Sequence, residues 1–198
     1  MSDRKGLSVN TIIIRTIAAM IAVLLCLPVF TGCSRMNDAE KKVSNELRAL
    51  QSSDYLGDEV ADLRDSLSDE GKENFDGFLK KLRSFDYEIT GSEEEGDSTL
   101  VSVKIKTCSF GREYLAVWTE FLKSNEDTKP EEMTEFYEKL FAGLNSLSEK
   151  DCINYIKIVC IDPLDNGEWI ANIKENEELQ DAIFGGMMSE MNALAAEY

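Results

Sequence analysis

Phe85-Asp86-Tyr87-Glu88-Ile89 and Val101-Ser102-Val103-Lys104-Ile105 are the stretches from which the fold is read. In the first, Phe85, Tyr87 and Ile89 alternate with acidic residues. In the second, Val101, Val103 and Ile105 alternate with Ser102, Lys104 and Lys106. An extended strand sends successive side chains to opposite faces, so each stretch is a strand with one face buried. Glu93-Glu94-Glu95-Gly96-Asp97 between them has the composition of a turn, and the whole reads as a hairpin. The acidic tip has the charge a calcium ion wants, but a solvated turn carrying Gly96 accounts for it without a ligand.

Upstream of the hairpin the period is helical. Asp38 can cap a helix running to about Gln51, with Ala39, Val43, Leu47 and Leu50 along one face. Ser52-Ser53-Asp54 breaks it, and a weaker helix from Asp58 to Ser66 places Val60 and Leu63 together. Ser68-Asp69-Glu70-Gly71 starts a third helix, whose Phe75, Phe78, Leu79 and Leu82 form an apolar stripe of the kind that faces a core.

Downstream, a helix from near Arg112 to Lys123 carries Leu115, Trp118, Phe121 and Leu122. Thr128-Lys129-Pro130-Glu131 begins another, with proline favoured in a first turn. Met133, Phe136, Tyr137, Leu140, Phe141 and Leu144 fill its apolar face. Strand character returns from Ile153 to Ile161. Asp162-Pro163-Leu164-Asp165-Asn166-Gly167 is a turn, and Trp169, Ile170, Ala171 and Ile173 form the returning strand. Asp162, Asp165 and Asn166 look like a fragment of a calcium loop, but they lack its alternate spacing and its distant bidentate glutamate. Turn geometry explains Asn-Gly on its own. Asn176 caps a last helix defined by Leu179, Ile183, Met187, Met191 and Leu194, which Gly185-Gly186 can break.

Helices, a hairpin, an inserted helical pair at about residues 112–147 and a second hairpin make an α+β domain over residues 38–198. The expectation is a curved antiparallel sheet of about four strands, packed by helices on one face. This order resembles the nuclear transport factor 2-like, or cystatin-like cone, superfamily, and in particular its secreted lipoproteins from Gram-positive bacteria. Phe85 to Ile89, Val101 to Ile105, Gly167-Glu168-Trp169, and Asn176-Glu177-Glu178-Leu179 with Gly185-Gly186 carry the resemblance. The inserted helical pair departs from the plain enzyme-like members and could cover one end of the cone. The resemblance implies no catalytic signature, because the superfamily holds both enzymes and binding modules.

Residues 1–32 read as an export signal. Arg4, Lys5 and Arg15 make a positive start, and Thr16 to Phe30 is uncharged and mostly apolar. Phe30-Thr31-Gly32-Cys33 then resembles the lipobox of bacterial lipoproteins, departing from it at Phe30, where leucine is usual. The resemblance implies a diacylglycerol on the Cys33 thiol, cleavage before it, a short tether over residues 33–37 and a place on the extracytoplasmic face of the cell membrane. An uncleaved transmembrane anchor is the alternative, since the uncharged stretch between Arg15 and Arg35 approaches the ~20 residues a bilayer requires.

The formal charge is −17, from 38 acidic and 21 basic residues. Residues 1–32 hold three basic residues and one acidic, so without them 37 acidic and 18 basic residues leave −19. Such a surface is repelled by nucleic-acid phosphates and anionic headgroups, which argues against either as a direct partner. There is no histidine, hence no ordinary general base near neutral pH and none of the commonest zinc ligand. Cys108, Cys152 and Cys160 are an odd set without a C-x-x-C spacing, and buried free thiols are the expectation.

No catalytic residue, cofactor or metal is expected. Tyr114, Trp118, Tyr155 and Trp169 are the candidate lining of a pocket or partner surface, with ordinary core packing as the competing reading. Three functions remain: a non-enzymatic binding or assembly module meeting an envelope protein or a second copy of itself, a ketosteroid-isomerase or dehydratase-like enzyme, and a passive spacer. For the enzyme, Asp86 and Tyr87 supply the residue types of a base and an oxyanion donor. As neighbours in a strand they point to opposite faces.

Overall fold

The computed structural model describes residues 37–52, 58–124 and 130–197; residues 1–32, read above as an export signal, and Cys33 lie outside them. Helices α1 (Asp38–Ser52), α2 (Asp58–Asp65) and α3 (Asp69–Arg83) come first, followed by strands β1 (Asp86–Glu95) and β2 (Ser98–Thr107). Helices α4 (Phe110–Ser124) and α5 (Pro130–Ser146) precede β3 (Cys152–Ile161) and β4 (Ile170–Ala171), and α6 (Glu177–Ile183) and α7 (Met187–Glu197) close the chain. The strands form one antiparallel sheet in the order β1-β2-β3-β4. The α+β class with a four-stranded sheet under helices is as the sequence led one to expect.

Period-two alternation decides which side of the sheet meets the helices. Val101, Val103 and Ile105 of β2 and Ile156, Ile158 and Cys160 of β3 are buried. Their neighbours Lys104, Lys106, Tyr155 and Lys157 project to the other side. Helices α1 and α6 lie against the inner face, bringing Val43, Leu47, Leu50, Leu179 and Ala182 into one core with the strand residues. Beyond them α3, α4, α5 and α7 pack on each other around aromatic rings. Phe75 meets Phe141 edge-on at 4.8 Å, and Phe78 meets Phe110 at 5.3 Å. The face of α3 read from Phe75, Phe78, Leu79 and Leu82 is the face it buries.

Three boundaries differ from expectation, and the last helix divides where the glycine pair allowed it. The cap of α1 is Asn37, not Asp38: its Oδ1 accepts from the Glu40 N–H at 2.8 Å, while the Glu40 carboxylate accepts from the Asn37 N–H at 3.1 Å. This reciprocal pair satisfies two free donors at a helix start. The segment Glu93–Glu95 is strand, not turn, with Glu93 opposite Leu100 and Glu95 opposite Ser98. The turn is Gly96-Asp97 alone, with Gly96 at φ +60, the conformation a type II′ turn demands of its first central residue. The returning strand shrinks to Ile170–Ala171. The last helix is two, since Gly185 and Gly186 both adopt positive φ between α6 and α7.

Candidate functional site

The four aromatic candidates do not converge. Tyr114 and Trp118 stack within α4, their ring centroids 6.4 Å apart, and both are buried. Trp118 also meets Phe136 of α5 edge-on at 5.4 Å, and its indole N–H makes no hydrogen bond among the described residues. Burial raises the Tyr114 hydroxyl pKa well above the usual tyrosine range, so the phenol stays neutral. Trp169 is half-buried against the core at the entry to β4. Tyr155 alone is a surface group, at 72% exposure. Core packing therefore claims Tyr114 and Trp118, which share no surface with Tyr155.

The helix-facing side of the sheet is filled. Val101, Ile105, Ile158 and Cys160 are each fully buried there, with Val43 and Leu47 of α1 equally so. Asp86 and Tyr87 diverge as strand geometry requires. Asp86 pairs with Lys150 at 2.7 Å on the outside, while the Tyr87 hydroxyl lies 3.0 Å from Ser44 Oγ on the inside. The Asp162 carboxylate accepts from the backbone N–H groups of Asn166 at 3.2 Å and Gly167 at 2.6 Å, binding its own turn. Among the described residues, no three acidic or cysteine side chains stand together as a metal site.

What the structure does assemble is on the opposite, outer face of the sheet. Ile153, Tyr155, Val159 and Ile161 project from β3 and Ile170 from β4, with exposures of 39% to 72%. No described helix covers this stripe. Its polar surroundings are arranged in rows. Lys104 and Lys106 lie on β2, with Glu88 opposite Lys104 and Asp86 opposite Lys106 on β1. Lys157, in the middle of the stripe, is paired with Glu93, which raises the pKa of its ammonium. Lys104 and Lys157 thus find partners on β1, Glu88 and Glu93, and the apolar side chains are left along β3. At its β4 end the stripe leads into an open cleft of about 430 Å³, lined by Val159, Ile161, Ile170 and Ile173, with Glu46, Lys174 and Glu175 at the rim.

The edge of the sheet beside the stripe is only half closed. Strand β4 pairs with Cys160 and Ile161, and Asn172 N–H donates to the Val159 carbonyl at 2.8 Å. The Asn176 side-chain amide donates to the Lys157 carbonyl at 3.1 Å. Backbone groups of alternate residues face the same edge, so those of Ile153 and Tyr155 face it too. Among the described residues no hydrogen bond meets them there. Asp151, just before β3, is held by Ser109 Oγ at 2.7 Å and Arg112 at 2.8 Å, contacts that lower its pKa, the serine first.

Only Tyr155 of this surface stood among the candidates named from sequence. Ile153 to Ile161 is apolar at odd and even positions alike, the pattern of a strand buried on both faces. The signal lay in the neighbouring strand, where Ser102, Lys104 and Lys106 make the same face of β2 polar. Comparisons with family models, curated proteins and solved structures found no match for this chain.

Proposed function

We propose that this chain is an extracytoplasmic lipoprotein, held at the membrane through Cys33, whose domain is a non-enzymatic binding module of the cell envelope. The observation that carries the binding reading is the uncovered apolar stripe Ile153-Tyr155-Val159-Ile161-Ile170. Scattered surface hydrophobes need no explanation, but two apolar runs on one sheet face, either side of the paired Lys157 and beside an open edge, are what a docking partner covers. The filled helix-facing side of the sheet moves the reading away from a small-molecule pocket and toward a protein surface. The likeness to the cystatin-like cone superfamily belongs to the same proposal, supported by helices ahead of a hairpin and a helical pair between the second and third strands.

The anchor rests on Thr31-Gly32-Cys33 after the apolar segment. Protein extracted from host membranes is expected to have a mass starting at residue 33 plus a diacylglycerol, and Cys33→Ala is expected to lose both the lipid and the cleavage. An unmodified full-length mass would overturn it. The binding reading is tested separately, by a photoreactive side chain placed at Ile170 or Tyr155 of the full chain in its host. One discrete protein adduct is expected, reduced at least tenfold by Ile153→Thr with Val159→Thr. A featureless smear would instead favour a passive spacer.

A further inference from the structure

We infer that the open edge of β3 docks a second copy of this chain, the two strands pairing antiparallel about a two-fold axis at Asn154. The inference rests on the binding reading and names its partner. Sheet edges with unpaired backbone groups are templates for another strand, so the question is which strand fits. The opening is short. It is bounded on one side by Asn176, which already occupies the Lys157 carbonyl, and on the other by Asp151 and its contacts with Ser109 and Arg112. Only Ile153 and Tyr155 offer free N–H and C=O groups between these limits. In an antiparallel pair centred on Asn154, Ile153 of each copy lies opposite Tyr155 of the other. Every free group of Ile153 and Tyr155 in both copies is then bonded. A register centred on Tyr155 would set Ile153 against Lys157, whose carbonyl is taken.

The side chains agree with that register. On the outer face each Ile153 packs beside the opposing Tyr155, an aliphatic–aromatic cross-strand pair, joining the two apolar stripes into one. One step further along, where Asp151 of one copy would meet Lys157 of the other, Asn176 closes the edge, and both charges are already paired within their own copy, Lys157 with Glu93 and Asp151 with Arg112. The net charge of the domain opposes close approach of two copies, and the paired edge is short. The result is a dimer that dissociates on dilution, in keeping with small interfaces.

Disulfide trapping of the full chain in its host membrane tests this. At a non-hydrogen-bonded antiparallel pair the Cα atoms are about 4.5 Å apart, within disulfide range. Asn154→Cys in a Cys152→Ser background is therefore expected to cross-link most of the protein as a dimer under mild oxidation, while Leu164→Cys is not. Tyr155→Pro removes the edge N–H without touching the ladder to β2, and is expected to lower the yield at least tenfold. Ile153→Pro, which removes the other free edge N–H, is expected to lower it as well, with the circular dichroism and melting of both proline variants matching the parent chain. No cross-link at residue 154, or a yield indifferent to both prolines, overturns the second-copy inference. A Tyr155 photoadduct to a different protein overturns it too while leaving the binding reading standing, whereas no adduct from Tyr155 or Ile170 overturns both.

Discussion

Cys160 lies on the inner face of β3 with no exposed surface, and burial raises its thiol pKa from 9.0 to about 11, against a smaller opposing pull from Lys42. The sign of the consequence follows from which state releases the proton first. Between these values the unfolded chain has lost the thiol proton and the folded chain has kept it, so folding weakens as pH rises through that window. Urea unfolding at pH 8 and pH 10 is expected to show this loss, and Cys160→Ala is expected to reduce the dependence by about one proton per molecule. Equal slopes for the two proteins would mean that Cys160 ionises in the fold as readily as outside it. Residues also set the limits of the sequence reading. Asn37 and Asp38 are adjacent residues of equal capping ability, and the choice falls to Asn37, which faces Glu40 across the first turn while its amide reaches Ser92 at 2.7 Å. Aromatic type does not separate Trp118, surrounded by rings, from Tyr155, surrounded by solvent.

At the scale of elements, the periods of α1, α3, β2 and α5 were legible because each buries one face and leaves the other wet, so the pattern and the packing say the same thing. The acidic end of β1 was not. Glu93, Glu94 and Glu95 are all exposed, on an edge strand extending past the core, and no alternation survives there to announce a strand. Strand β4 failed for the opposite reason: its apolar run is longer than the length that pairs. The α6–α7 junction was visible as Gly185-Gly186 but its purpose was not. Gly185 sits at φ +57, and a Cβ there would lie 2.0 Å from the Cys108 carbonyl oxygen. The two segments are tied by the Gly111 N–H donating to the Gly185 carbonyl at 3.0 Å. Gly185→Ala must therefore separate α6 from the start of α4 as well as strain its own backbone. A loss of about 3 kcal/mol or more in unfolding free energy is expected, near the upper end for single substitutions. Gly96→Ala, with open space around its Cβ position, carries only the left-handed conformational cost.

Across the whole molecule the dominant quantity is charge. With a net −17 on the chain, compaction brings like charges together everywhere except at the few lysines and arginines that pair locally. Those pairs are exposed and individually weak. Self-repulsion is screened over a Debye length of about 10 Å at 0.1 M salt and about 3 Å at 1 M. The melting temperature is accordingly expected to rise as sodium chloride goes from about 0.02 M to about 0.5 M, the reverse of a fold that depends on its surface ion pairs. A falling melting temperature would assign the ion pairs of β1 and β2 a larger share of stability than their exposure suggests. Composition argues against nucleic acid and anionic headgroups as direct partners. It could not reveal that the sheet keeps one apolar face uncovered, because that depends on where the helices go, and nothing local in β3 records it.

Helix α1 is fastened to β1 at intervals along its length: Asn37 to Ser92 at 2.7 Å, Ser44 to Tyr87 at 3.0 Å, and Gln51 to the Phe85 carbonyl at 2.6 Å. A tensile load entering at residue 37 meets these fastenings one after another, whereas the β2–β3 ladder would share the same load among all its rungs at once. Under pulling from the amino end the helix therefore peels before the sheet shears, and the first mechanical event lays bare Val43 and Leu47 while the strands remain intact.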